Sequence, residues 1–307
     1  MISNFTSFSG INNFKKVTVE IDPTRQQHHF NIELLDVDYD PNMSLADVYY
    51  EHLSSRPSDE VEVLYSGGID SEIILAVCLA HKIRCRAMTL RLLIKGVAVN
   101  THDLYYAERF TRQNNIPHTI VDLNVDKFYN NGEHLQYLEP YLNKEFHVST
   151  HMWLIEQCSK FPIIGGFYPW PWTHGPKVFS PMRNTYNLYD KFMQDRSITG
   201  IGNMQSHSLT SVLLFVQAHL KCIQKYSNLK GVDITHFRSD INKTLGLDLE
   251  PRLRTYGWDS VDKDVFDKDS INRELISRFG PWKNSITWNK TLADAIAGQP
   301  GTWDRFD

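Results

Sequence analysis

The run Ser66-Gly67-Gly68-Ile69-Asp70-Ser71 gathers two glycines, two hydroxyls and a carboxylate directly behind the apolar stretch Val61-Glu62-Val63-Leu64-Tyr65. Such a set suits a polyphosphate. Glycines lack Cβ and tolerate positive φ, so backbone N–H groups can converge on an anion, and a helix starting there adds the partial positive charge of its N-terminus. Ser66 and Ser71 can add hydroxyl donors. Asp70 repels a bare phosphate, but its presence is accounted for if it ligates Mg²⁺ already carried by the phosphates. The plainer alternative is a glycine turn between a strand and a helix, with Asp70 or Ser71 as the N-cap. Neither G-x-x-x-x-G-K-[ST] nor G-x-G-x-x-G occurs in this segment, and the loop holds no lysine.

The flanking residues supply the elements that must position this loop. VEVLY reads as a short buried strand from Val61, EIILAVCLAHKI as a helix and CRAMTLRL as the next strand, which together make a βαβ unit. The alternation continues with a helix from Asp103 to about Asn115, a strand from His118, a helix around Phe146 to Ser159 and a strand from Phe161. This grammar predicts an α/β fold with a doubly wound, mainly parallel, Rossmann-like sheet. Ile163-Ile164-Gly165-Gly166 then falls outside the carboxyl end of the fourth strand, where such sheets have their ligand crevice. Upstream, Lys16 to Asp22 and Phe30 to Leu35 alternate as a hairpin, and a helix capped by Ser44 follows with Leu45, Val48, Tyr49 and Leu53 as its apolar stripe. Downstream, Ser208 to Tyr226 carries a helical stripe and strand signals fade. The expected organisation is an N-terminal hairpin and helix over 1–58, a nucleotide-binding α/β domain over 59–177, and a mostly helical region over 178–307 packing on it.

Composition sets the outer limits. The chain has 307 residues, 41% hydrophobic and 22% charged, which is globular rather than fibrous or disordered. A net charge of −4 provides no general field for a polyanion, so nucleic acid is admitted as a partner but not favoured. Four scattered cysteines without a Cys-x-x-Cys pair suggest reduced thiols. The polar N-terminus and the lack of a membrane-length apolar run lead to the expectation of a cytoplasmic protein with no membrane partner.

SGGIDS resembles the Ser-Gly-Gly-x-Asp-Ser PP-loop of the ATP pyrophosphatases, the adenine nucleotide alpha hydrolase-like superfamily. The resemblance implies that ATP and Mg²⁺ are the cofactors, that the loop holds the β,γ-pyrophosphate, and that the exposed α-phosphate is transferred to a substrate oxygen as AMP. On that reading Ser66, Gly67, Gly68, Ile69, Asp70, Ser71, Thr89, Leu90, Gly165 and Gly166 bind the nucleotide, and Asp70 is also the metal ligand. Within the superfamily the chain looks most like the synthetase domain of asparagine synthetase: Ala87 to Leu92 correspond to the adenine-edge strand, followed by Asp103, Tyr106-Ala107 and Ile116-Pro117-His118. A helix N-cap remains the alternative for Asp103, and a plain strand start for His118. The chain departs from the family after the fourth strand, where an Asp-Glu pair is replaced by Phe167-Tyr168-Pro169-Trp170-Pro171-Trp172. These rings either line an acceptor pocket or pack as core or lid. Lys177 and Arg183, with Asp70, are the catalytic candidates; Lys177, Arg183 and Arg196 are suited to neutralising charge as pyrophosphate forms, against the alternative of solvated surface cations. His147 and His151 read as ordinary helix histidines.

Missing residues narrow the reaction. The last cysteine, Cys222, has no Cys-Gly neighbour, which argues against sulfonucleotide reduction, and there is no four-cysteine zinc site or cysteine pair of the kind other branches use. The start Met1-Ile2 and the early position of Val61 lead to the expectation that the cysteine-led glutaminase domain of complete asparagine synthetases is missing here. The expectation is an AMP- and pyrophosphate-forming ligase that adenylates a carboxylate or carbonyl oxygen of a small-molecule acceptor and forms a C–N bond. Its nitrogen would come from ammonia or an amine donor, delivered free or by a separate amidotransferase. Two alternatives stand beside it: a PP-loop enzyme modifying a nucleobase in tRNA or DNA, and a non-catalytic nucleotide-binding module.

Overall fold

The computed structural model describes residues 6–9, 15–22, 27–34, 43–166, 185–225, 234–250, 258, 261, 266–280 and 283–288. Three N-terminal strands, β1 (Thr6–Ser9), β2 (Lys15–Asp22) and β3 (Gln27–Leu34), pair antiparallel, with Val17 opposite Ile32 and Val19 opposite Phe30. Helix α1 (Leu45–Ser54) starts as its sequence directs: the Ser44 side chain accepts from the backbone N–H of Asp47, and Leu45, Val48, Tyr49 and Leu53 are buried.

The central sheet begins with β4 (Val61–Leu64), which runs into α2 (Ile69–Ala80) and then β5 (Cys85–Ile94), on whose far end β6 (Val97–Ala98) folds back antiparallel. Next come α3 (Thr101–Gln113), β7 (His118–Asn124), the helices α4 (Val125–Asn130), α5 (Leu135–Leu138) and α6 (Phe146–Gln157), and β8 (Phe161–Ile164). The parallel strands lie in the order β7-β5-β4-β8. The chain thus steps outward from β4 through β5 to β7, then returns to the other side of β4. The winding reverses between the carboxyl ends of β4 and β8, the place where sheets of this kind take their ligands.

Glu62, a polar residue in the middle of β4, is fully buried and helps fix this reversal. Its carboxylate accepts from the backbone N–H groups of Ser159 (2.8 Å) and Lys160 (3.1 Å), the turn that enters β8. Two charge-assisted bonds satisfy the buried carboxylate and draw β8 against β4. Beyond β8, Ile201 adds a parallel bridge to Ile163, with its N–H on Pro162 O and its carbonyl on Ile164 N, both at 2.9 Å.

Side chains alternate across the sheet. Val61, Val63 and Tyr65 join one apolar cluster with α1, α2 and Phe237 and Ile241, while Leu64 and Met88 join another with α4, α5 and α6. Helices therefore cover both faces, as doubly wound sheets require. Among the described residues the remaining α-helices are α7 (Thr185–Asp195), α8 (Leu209–Lys225), α9 (Ile234–Thr244) and α10 (Lys268–Phe279).

Two features add detail to the sequence reading. The C-terminal region is not all helical: β9 (Lys283–Trp288) pairs parallel to β3, with Phe30 opposite Ile286, and completes the sheet β1-β2-β3-β9. Helix α1, grouped in sequence with the hairpin, packs its apolar stripe on α2 and α8. Among the described residues, no helix is long and apolar enough to cross a membrane.

Candidate nucleotide site at the sheet reversal

The ladder runs one residue past β4, with the N–H of Tyr65 on Met88 O at 2.8 Å, before the chain turns at Ser66. Ser66 is exposed. Gly67 takes φ +78°, whereas Gly68 is extended (φ −78°, ψ 151°) and serves as the N-cap of α2. Only the first of the pair therefore uses the left-handed backbone open to glycine, and neither Asp70 nor Ser71 is the cap. The Ser71 hydroxyl donates back to Gly68 O at 3.2 Å, tightening the first turn.

Gly67 also meets a steric demand that the sequence reading assigned to a ligand. A Cβ there would lie 2.2 Å from Asp103 O and 3.3 Å from Ala107 N, so the first turns of α3 rest directly on the loop. Gly165 and Gly166 behave likewise. A Cβ at Gly165 would sit 3.0 Å from both Asp70 O and Ser71 Cα; at Gly166 (φ +91°) it would be 1.9 Å from Asn203 Oδ1. Gln205 stitches this junction, with its N–H on Gly165 O (3.1 Å) and its side-chain amide on Asp70 O (3.2 Å). Protein backbone and the Asn203 side chain lie where a Cβ on any of these three glycines would go.

Thr89 is buried at the centre of a polar chain. Its hydroxyl donates to Tyr65 O (2.6 Å) and lies 2.8 Å from His118 Nε2, whose Nδ1 is 3.1 Å from Thr111 Oγ1. β4, β5, β7 and α3 are thereby tied together behind the loop. Burial pushes the His118 imidazole below its ordinary value. The backbone carbonyl of Leu90 accepts from the Asn100 side chain at 2.8 Å. Asn100 is the N-cap position of α3, so Asp103, which is buried, lies inside the helix instead of capping it.

Asp70 faces a residue that the sequence reading did not single out. Arg238 Nη1 of α9 lies 3.1 Å from Asp70 Oδ2, and both side chains are 21% exposed. Burial, and then the charge of Asp70, push the Tyr49 phenol well above its ordinary value. Lys177, Arg183 and the run Phe167 to Trp172 lie outside the described residues. Arg196 is engaged elsewhere, at 3.2 Å from Glu156 and over the ring of Phe192. His147 pairs with Glu145 at 3.6 Å, and His151 Nδ1 lies 2.5 Å from the Tyr189 hydroxyl.

Among the described residues, no group of three His, Cys, Asp or Glu side chains is arranged to cage a metal. Asp70 could supply the one carboxylate with which Mg²⁺ is commonly held, phosphate oxygens and water completing its shell. A cleft of about 210 Å³ opens beside α2 and α3, lined by Glu72, Tyr106, Arg109, Phe110 and Leu249 among others. At Glu72 the carboxylate takes a hydrogen bond from the Tyr65 hydroxyl, and at the rim Arg109 pairs with Glu250.

No protein-family model matches the chain, and no curated protein matches it. Among solved structures, it is similar to a predicted subunit of tRNA methyltransferase from Methanocaldococcus jannaschii at 13% identity, over 52% of this chain and 74% of that one, with a TM-score of 0.31. It is also similar to NH3-dependent NAD synthetase from Campylobacter jejuni, at 15% identity over 68% and 95% of the two chains and a TM-score of 0.30. A U34-tRNA thiolase from Methanococcus maripaludis matches at 12% identity over 78% and 82%, with a TM-score of 0.28. Likenesses this distant leave the chemistry to be argued from the chain's own residues.

Proposed function

We propose that the chain is an ATP pyrophosphatase-type ligase, a member of the PP-loop superfamily that forms AMP and pyrophosphate. The observation that carries this reading is the placement of Ser66-Gly67-Gly68-Ile69-Asp70-Ser71 between the carboxyl end of β4 and the first turn of the twelve-residue helix α2, at the point where the sheet reverses. Backbone N–H groups of the loop and of the first turn of α2 bind the two terminal phosphoryl groups of ATP, and the exposed Ser66 hydroxyl adds a donor. Asp70 is the residue that would hold Mg²⁺, and that ion supplies charge neutralisation to the phosphates when bound. The chain from Tyr65 O through Thr89 to His118 keeps the loop's entry strand in register with β5 and β7.

The reaction matching this grip is attack by an acceptor carboxylate or carbonyl oxygen on the α-phosphorus. The bond to the β-phosphate breaks, pyrophosphate departs, and AMP is carried by the acceptor until a nitrogen nucleophile displaces it. The finer reading is an asparagine synthetase-like C–N bond formation that uses ammonia or an amine. The protein incubated with Mg²⁺, ATP, ammonia and a panel of carboxylates is expected to release AMP and pyrophosphate in equal amounts with one of them. Release of ADP and inorganic phosphate alone would overturn the assignment.

A further inference from the structure

The loop contains no lysine, yet a polyphosphate site needs positive charge, and Asp70 adds a negative one. The described structure brings a cation to that carboxylate from far along the chain. Arg238 projects from α9, whose Phe237 and Ile241 are buried in the same apolar cluster as Ile73, Ile74 and Val77 of α2. The Ser239 hydroxyl donates to Leu249 O at 3.0 Å, fixing the neighbouring turn of α9. Arg238 is therefore delivered by a packed helix, and its guanidinium meets Asp70 in a partly desolvated corner.

We propose that Arg238 is the exchangeable counter-cation of the phosphate loop: it neutralises Asp70 in the empty protein and turns its guanidinium fork onto phosphate oxygens when a pyrophosphoryl group enters, leaving the Asp70 carboxylate available to Mg²⁺. The inference rests on the proposed nucleotide reading and deepens it. Its physical basis is competition, because one carboxylate cannot be fully engaged by both a guanidinium and a divalent ion, and a guanidinium matches phosphate in a planar, two-donor geometry.

Calorimetric titration of the full chain with inorganic pyrophosphate, with and without Mg²⁺, tests it. Without Mg²⁺, R238Q is expected to bind pyrophosphate about 30-fold more weakly than the wild type, since the loop then presents an uncompensated Asp70. With Mg²⁺ the deficit should shrink to a few-fold. D70N should show the opposite pattern, with metal-free binding equal to or tighter than wild type and no gain from Mg²⁺. R238K keeps the charge but loses the fork, so a loss of about 3- to 10-fold is expected, and it serves where R238Q fails to fold. Unchanged pyrophosphate binding in R238Q, or equal losses in R238Q and D70N with and without Mg²⁺, would reduce the pair to a structural tie and overturn the inference. If the wild type bound neither pyrophosphate nor ATP, the nucleotide reading itself would fall first.

Discussion

Gly67→Ala adds one methyl group and tests whether the loop is held in place by α3. Two costs follow. Forcing alanine into φ +78° costs about 1–2 kcal/mol, and a Cβ 2.2 Å from Asp103 O, a backbone atom that cannot turn aside, adds overpacking strain of about 1–3 kcal/mol. The sum is about 2–5 kcal/mol. Gly96 provides the control, because it has nearly the same φ, +79°, and nothing within 4 Å of a Cβ. Gly96→Ala should therefore show the conformational cost alone, about 1–2 kcal/mol. Urea denaturation of the two variants and the wild type, followed by tryptophan fluorescence, measures the difference. ATP binding should weaken in Gly67→Ala and not in Gly96→Ala. Equal shifts in the denaturation midpoint would refute the claim that α3 rests on the loop.

Three further outcomes are expected. His219 and His151 are held neutral, burial pushing them down to about 4 and about 3 from the ordinary value of 6.5. Stability from these groups is fully present above 6.5 and is lost as pH falls towards the folded values, amounting at pH 5 to about 2 kcal/mol for each; a denaturation midpoint that stays flat from pH 8 to pH 5 would contradict this. The hydrogen bond from Cys78 holds the Cys85 thiol below its ordinary value, while the same bond and burial push Cys78 up. Iodoacetamide should accordingly modify the partly exposed Cys85 faster than Cys78, a difference read by peptide mass analysis, and slower labelling of Cys85 would count against the contact. Thr89→Val removes the donor to Tyr65 O and should cost about 1–3 kcal/mol, with Thr89→Ser restoring most of it; a neutral valine would remove Thr89 from the support of the loop.

The βαβ core was readable because its signals are local. The apolar run of β4, the glycine turn and the apolar helix α2 lie within about one βαβ unit, and the observed bounds Val61–Leu64 and Ile69–Ala80 follow them closely. The hairpin was equally legible from its alternation. What stayed hidden depends on partners distant in the chain. Arg238 meets Asp70 across 168 positions, and the apolar residues of α9, Phe237 and Ile241 among them, mark a helix face without showing which carboxylate the neighbouring arginine reaches. β9 is short and finds its partner, β3, near the other end of the chain. Cys78 and Cys85 come together only because the turn after α2 brings the helix end to the start of β5, with Ile83 N on Cys78 O at 2.8 Å. At the glycines, steric demand from Asp103, Asp70 and Asn203 cannot be distinguished in sequence from demand by a ligand.

The central claim is that the loop between β4 and α2 grips the terminal phosphates of ATP, and substitution at Gly68 tests it most directly. Gly68 is an N-cap with φ −78° and ψ 151°, a conformation and position in which both aspartate and asparagine are favoured, so Gly68→Asp and Gly68→Asn should fold like the wild type. Titration with ATP and Mg²⁺ then isolates the charge. Gly68→Asp is expected to lose at least about 30-fold in affinity while Gly68→Asn stays well above it, because only the former places a carboxylate among the phosphate oxygens. Equal and undiminished ATP binding by both variants would contradict the account.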